Sequence, residues 1–348
     1  MRVARTFMLV RVANLLAMLA WSPTGSAQTQ QQIDWCINKD NQFTSGLRIE
    51  GCTASIQSGK WRGNDLAWAY TNRGNAYQEN GDLDRAIADF NQTIALDPKN
   101  ALSYYNRGNA YQEKGDLDGA IADYNQAIAL DPQYAVAYDN RGDAYSAKGD
   151  YDRAIADYSE ALRIDPKYTI AYNDRGYAYS RKKDYDRAIA DYNEALRIDP
   201  SHTAALSNRA SAYENKNQYA QAIEGYDQLI RLQPTNANWW NYRCWDRAIV
   251  GELQAALTDC NESLRLRADD ANTIDSRALV YLKLGDLDKS LADYDAALKL
   301  NPKLAGSLYG RGVVKQKKGD SAGAEADMAA AKAMRSNVAE QWANYGVK

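Results

Sequence analysis

The chain has 348 residues, 45 acidic against 42 basic, one histidine and four cysteines. Its net charge of −3 and lack of a basic stripe exclude a nucleic-acid binder, whose affinity comes mainly from phosphate neutralisation. The same deficit excludes a polybasic membrane-surface protein.

The first element is N-terminal. Arg2 and Arg5 precede an apolar run from Val12 to Trp21, and SPTGSAQ comes next with Gly25 and Ala27 as small residues. This is the pattern of a secretory signal peptide over residues 1–27, cut after Ala27. An uncleaved anchor is the alternative, but the run is short for a bilayer and Asn14 interrupts it. No later stretch approaches the ~20 apolar residues of a membrane helix. Removal of the leader takes three arginines and no acid, leaving a net charge of −6. The expected location is periplasmic or secreted, with no membrane insertion after cleavage. An exported chain with an even cysteine count permits disulfides.

From Ala67 a 34-residue period dominates. AYTNRGNAYQENGDLDRAIADFNQTIALDPKN (69–100) returns as SYYNRGNAYQEKGDLDGAIADYNQAIALDPQY (103–134) and as AYDNRGDAYSAKGDYDRAIADYSEALRIDPKY (137–168). Eight such repeats fill residues 67–338 without a gap. Each has apolar or aromatic residues at helical spacing twice over, as in Tyr104, Gly108, Tyr111 and then Ala120, Tyr124, Ala127. Gly-Asp pairs such as Gly149–Asp150 separate the two helices. Glycine takes the left-handed turn and aspartate caps the second helix. Asp-Pro pairs close the repeat, because proline cannot continue a helix.

On Tyr138, Gly142, Tyr145, Ala154, Tyr158, Ala161, Pro166 and their equivalents, the chain resembles the tetratricopeptide repeat family. The resemblance implies an all-α fold, a right-handed α-solenoid of stacked helix-turn-helix repeats. The first helix of each repeat would line the concave face. No pair can bury its face alone, so neighbours must stack. Lys183 and Asn217 depart from the pattern where glycine is usual. AEQWANYGVK (339–348) reads as the start of another first helix, a C-terminal cap with Trp342 at the aromatic place.

The repeat frame also places the cysteines. The eighth place is small, as at Gly142, and the twenty-fourth is large, as at Tyr158, since close-packed helices need a small floor under a large side chain. In the sixth repeat these places hold Cys244 and Cys260. Cys36 and Cys52 have the same spacing, and Ile49 and Ile56 flank Cys52 as Ile189 and Leu196 flank Tyr192. Residues 29–66 therefore read as a degenerate N-terminal repeat, and two disulfides are expected: Cys36–Cys52 and Cys244–Cys260. Zinc and redox-active pairs favour Cys-x-x-Cys, which is absent from the sequence.

Arginine fills the seventh place of all eight repeats, and aspartate fills the twenty-third in all but the fifth, which has Gly225. This reads as an internal arginine–carboxylate ladder. No Gly-rich phosphate loop, catalytic set or metal-ligand cluster is recognisable, so neither enzyme activity nor a cofactor or metal is expected.

The family resemblance assigns the second, fifth, sixth, ninth and twelfth places to the concave face. Candidate partner-binding residues there are Trp68, Asn72, Asn75, Tyr105, Asn106, Asn109, Asn140, Asp143, Asp174, Tyr177, Asn208 and Trp245. Asparagine has both donor and acceptor and can hold an extended backbone. Aromatics can supply anchors. The function expected is a protein-interaction scaffold of the cell envelope, taking a partner protein or extended peptide in the groove. The alternative is an assembly factor acting through self-association or the convex face.

Overall fold

The computed structural model describes residues 25–347, and the expected leader lies almost wholly outside them. The expected cut after Ala27 falls in the first turn of α1. All regular structure among the described residues is helical. The N-terminal pair is α1 (Gly25–Ile37) and α2 (Ser45–Gln57). The next helices, in order, are α3 (Asn64–Glu79), α4 (Leu83–Leu96), α5 (Ala101–Lys114), α6 (Leu117–Leu130), α7 (Ala135–Ala147) and α8 (Tyr151–Ile164). After these come α9 (Thr169–Arg181), α10 (Tyr185–Ile198), α11 (Thr203–Asn215), α12 (Tyr219–Leu232), α13 (Ala237–Val250) and α14 (Leu253–Leu266). The last are α15 (Ala271–Leu284), α16 (Leu287–Leu300), α17 (Ala305–Lys317), α18 (Ser321–Met334) and α19 (Val338–Asn344). The chain forms two compact bodies, one ending at Gly115 and one starting at Asp116. Within each, successive helices pack on one another as an α-solenoid does.

Local chemistry sets the turns. Gly149 ends the third repeat's first helix with φ 79°, and Asp150 then accepts a hydrogen bond from the Arg153 amide at 3.2 Å. Lys183 and Asn217 hold the same left-handed position at φ 63° and 57°. The stack enforces the turn there despite the Cβ, a strain of about 1–2 kcal/mol. The core is a column of small-and-large contacts. A Cβ on Gly142 would stand 2.7 Å from the Tyr158 ring, and one on Gly176 would meet Tyr192 at the same distance. Tyr158 and Tyr192 are buried, as are Phe90 and Tyr294 in other repeats.

In the two cysteine-bearing pairs this contact is covalent. Cys36 and Cys52 have their sulfurs 2.00 Å apart, and Cys244 and Cys260 have theirs 1.97 Å apart, all four fully buried. Among the described residues there is no free thiol. Within the N-terminal pair, α1 approaches α2 so closely that a Cβ on Gly51 would touch the Trp35 side chain.

The ladder is built of bidentate forks. Arg175 donates through Nε to Asp191 Oδ2 at 2.8 Å and through Nη2 to Oδ1 at 2.7 Å. Arg73–Asp89, Arg141–Asp157, Arg243–Asp259, Arg277–Asp293 and Arg311–Asp327 repeat that geometry. The remaining Nη1 reaches back to the preceding repeat: Arg175 to Ser159 Oγ at 3.1 Å, Arg243 to Asp227 at 2.6 Å, Arg311 to Asp295 at 2.8 Å. Arg209, facing Gly225, has no aspartate at that place and makes the backward bond, to Asn193 at 2.8 Å.

The chain's end departs from the expected continuation of the stack. Val338, Trp342 and Val347 are buried, and Trp342 packs on Tyr309 and Tyr294 with centroids 5.6 and 6.3 Å away. Tyr345 stands edge-on to Trp245 of α13, centroids 5.1 Å apart. A ninth first helix stacked beyond α18 could not reach α13. The segment instead returns along the first helices of the last three repeats. Gly310 makes room, since a Cβ there would sit 2.5 Å from the Trp342 ring.

Candidate functional site

In the N-terminal body, Trp68, Asn72 and Asn75 stand on α3 and Tyr105, Asn106 and Asn109 on α5, all half-buried. Trp68 meets Trp61 edge-on at 5.7 Å, and Gln78 donates to Glu113 across the two helices. These side chains present amides and aromatic rings with little charge.

The C-terminal body is different. On α7 and α9, Asp139, Asp143 and Asp174 converge, with one carboxylate oxygen from each within 4.8 Å of the others. Asp139 is 2% exposed; its Oδ2 accepts from Tyr168 Oη at 2.9 Å, and its Oδ1 has no donor. Asp143 accepts from Tyr158 Oη at 2.7 Å, and Asp174 accepts from Asn173 Nδ2 at 2.9 Å. Burial, then the charges of Asp143 and Asp174, pushes the Asp139 carboxyl up to about 8. Burial, then Asp143, brings Asp174 to about 7, and burial also raises Asp143. Three acids sharing a desolvated space favour either a held proton or a cation. The spacing suits one ammonium, or one hard metal ion with oxygen ligands.

Other candidates are more engaged than the sequence reading expects. Asn208 donates its amide to Asn173 Oδ1 at 3.0 Å, so it braces the acidic set instead of standing open as part of an asparagine line. Tyr177 is exposed, and its hydroxyl accepts from Arg181 at 3.1 Å. Asn140 lies half-buried beside the acidic residues on α7. Trp245 is half-buried, its indole against Tyr345, so it meets neither open solvent alone nor a closed core. Trp240 is half-buried. Its Nε1 donates to the Pro234 carbonyl at 2.9 Å, and the Arg243 guanidinium lies over its ring. His202 accepts the Ala205 amide through Nδ1 at 3.2 Å and so caps α11.

The sequence reading missed two acidic groupings. Asp139 and Asp143 are four residues apart on one helix face, and Asp174 lies beyond Asp139 by one repeat plus one residue. That offset was legible. The second grouping, Glu214 with Asp246, joins a twelfth place to a tenth place of the next repeat and carries no periodic signal.

Comparison with known proteins agrees with this architecture. Among curated protein sequences none matches the chain. Solved structures do. A repeat protein fragment from Cytophaga hutchinsonii is 18% identical, with a TM-score of 0.58, covering 68% of this chain and 97% of that one. A tetratricopeptide repeat protein from Parabacteroides merdae is 18% identical, with a TM-score of 0.54 over 73% of this chain and 99% of that one. The MamA protein is 25% identical, with a TM-score of 0.45 over 49% and 94%. Models described as tetratricopeptide repeat match residues 71–135, 140–203, 179–243 and 123–156, and one described as TPR repeat matches 278–319. With the period, the helix pairs and these matches in agreement, the chain belongs to the tetratricopeptide repeat family.

Proposed function

We propose that this chain is an exported interaction scaffold, without catalytic chemistry of its own, whose first-helix face holds a protein segment carrying basic side chains. The observation that carries the reading is the Asp139–Asp143–Asp174 set. Three half- to fully buried carboxylates converge on the first helices of adjacent repeats, with one oxygen lacking a donor. Such a set is costly to keep charged alone and is relieved by a cation. A lysine or arginine side chain on an extended segment supplies one. Taken by itself, the neutral aromatic and amide face of the N-terminal body, with Trp68, Asn72, Asn75, Tyr105, Asn106 and Asn109, suits an uncharged segment. Export is supported by the leader pattern of residues 1–27 and by the two cysteine pairs at bonding distance.

The test is fluorescence anisotropy with labelled hexalysine and hexaglutamate peptides. The acidic set predicts binding of hexalysine alone, weakened at least about tenfold by Asp143→Asn or Asp174→Asn, the loss of one desolvated charge contact. Equal binding of both peptides, or no effect of either variant, refutes it.

A further inference from the structure

A second acidic pocket lies one repeat pair further along the C-terminal body. A cavity of about 190 Å³ is lined by Glu214, Asn215, Tyr219, Trp245, Asp246 and Tyr345. Asp246 is its fully buried acid, 0% exposed, and neither carboxylate oxygen has a donor. The adjacent polar group is another acceptor, the Glu214 carboxyl, whose Oε1 already takes the Tyr226 hydroxyl at 2.7 Å. Two carboxyls can pair only by holding a proton between them. Neither enters an ion pair among the described residues. The walls are aromatic: Trp245 with Tyr345 edge-on against it, and Tyr219.

We infer that this cavity is a binding pocket for a primary alkylammonium group, seated between Glu214 and Asp246 and walled by Tyr219, Trp245 and Tyr345. An ammonium replaces the shared proton with one positive charge and three donors. Its alkyl stem lies along ring faces that attract cations. A guanidinium is a poorer fit, because it needs a planar fork of acceptors and the pair offers a single point between two carboxyls. The volume accommodates the end of a lysine side chain. Two sources share this chemistry: a lysine on a bound protein segment, or a free aliphatic amine. The inference rests on the reading of the first-helix face as cation-seeking, since Trp245 stands on that face, but it concerns separate residues.

Isothermal titration of the full chain with cadaverine and with Nα-acetyl-lysine amide tests it. The other titratable groups facing the pair are Tyr219, Tyr226 and Tyr345. These stay protonated at neutral pH, so binding of either amine near pH 7 releases up to one proton, read from the buffer dependence of the heat. Asp246→Asn keeps shape and can donate to Glu214, so the fold survives; it should weaken amine binding at least about tenfold, as expected for losing one desolvated charge. Trp245→Leu should weaken it less, by removing one wall. Binding of both amines assigns the pocket to lysine side chains, and binding of cadaverine alone assigns it to free amines; either supports the pocket. No binding of either, or binding indifferent to Asp246→Asn, overturns it. Loss of hexalysine binding in Asp143→Asn with amine titrations unchanged by Asp246→Asn would overturn this pocket and leave the proposed function standing.

Discussion

Replacing Asp191 by alanine tests whether the arginine–aspartate ladder holds the stack. Asp191 receives both bonds of the Arg175 fork, with side-chain exposures of 9% and 21% respectively. Its hydrogen bond is the largest influence raising the Arg175 guanidinium. An exposed pair would contribute about 0–1 kcal/mol. Breaking a fully buried pair costs about 3–5 kcal/mol. Arg175 falls between, because it keeps Ser159 and can turn toward water at its exposed edge. The expected loss is therefore about 2–3 kcal/mol, with about 2 kcal/mol of coupling in the cycle with Arg175→Ala. The fifth repeat is the control. Arg209 lacks an aspartate and is lowered by burial, so Arg209→Ala should cost under about 1 kcal/mol, the loss of one neutral-acceptor bond. Long repeat arrays depart from two-state behaviour. The cycle is best read by native-state hydrogen exchange of α9 and α10 amides beside urea unfolding. Coupling below about 0.5 kcal/mol would show that the forks form without stabilising the stack.

Three further outcomes are expected from the structure. Each disulfide closes a loop with a sequence separation of 16, and its reduction should cost about 3 kcal/mol on the chain-entropy model. Intact mass before and after reduction would reveal both bonds as a gain of two hydrogens each, and four free thiols in protein produced in an oxidising compartment would refute them. The buried acids give an unusual pH dependence. Asp246 is raised to about 9, Asp139 to about 8 and Asp275 to about 6, all first by burial. The folded chain then binds more protons than the unfolded one, so this stabilisation is full below about pH 4 and is lost as pH rises through those values. Urea midpoints at pH 5 should exceed those at pH 9, and the opposite order would contradict the burial of these groups. Lys183→Gly should raise stability by about 0.5–1 kcal/mol, because glycine relieves the left-handed strain at φ 63° but adds unfolded-state freedom. A loss in thermal unfolding would mean the strain is absent.

The periodic part of the structure was legible because periodicity is a physical constraint, not a statistic. A 34-residue period with small and large residues at fixed places leaves the helix pairs little freedom. The same logic paired Cys36 with Cys52, from their spacing and the isoleucines flanking Cys52. The ladder was readable because arginine and aspartate recur at invariant places. The features that escaped had no period. Asp246 and Glu214 meet through the rotation between neighbouring repeats, which sequence spacing does not encode. The return of Trp342 and Tyr345 toward α13 depends on Gly310 leaving a slot, and a single glycine at a sixth place carries no such message. Trp240 is a further case: its indole rests on a backbone carbonyl and under a guanidinium, contacts that no repeat position specifies.

The arginine forks also bear on how such a chain can grow. From the third repeat onward each arginine addresses one partner 16 residues ahead, where the aspartate is present, and one 16 residues behind, and neither offset depends on where the repeat sits. A gene segment encoding one whole repeat can be duplicated or excised: each fork travels inside its own repeat, and the backward bond reforms with the new neighbour. Only arrays broken off the 34-residue step would orphan a buried guanidinium. The ladder thus acts as a proofreading rule on recombination, admitting changes of length in whole repeats and penalising all others.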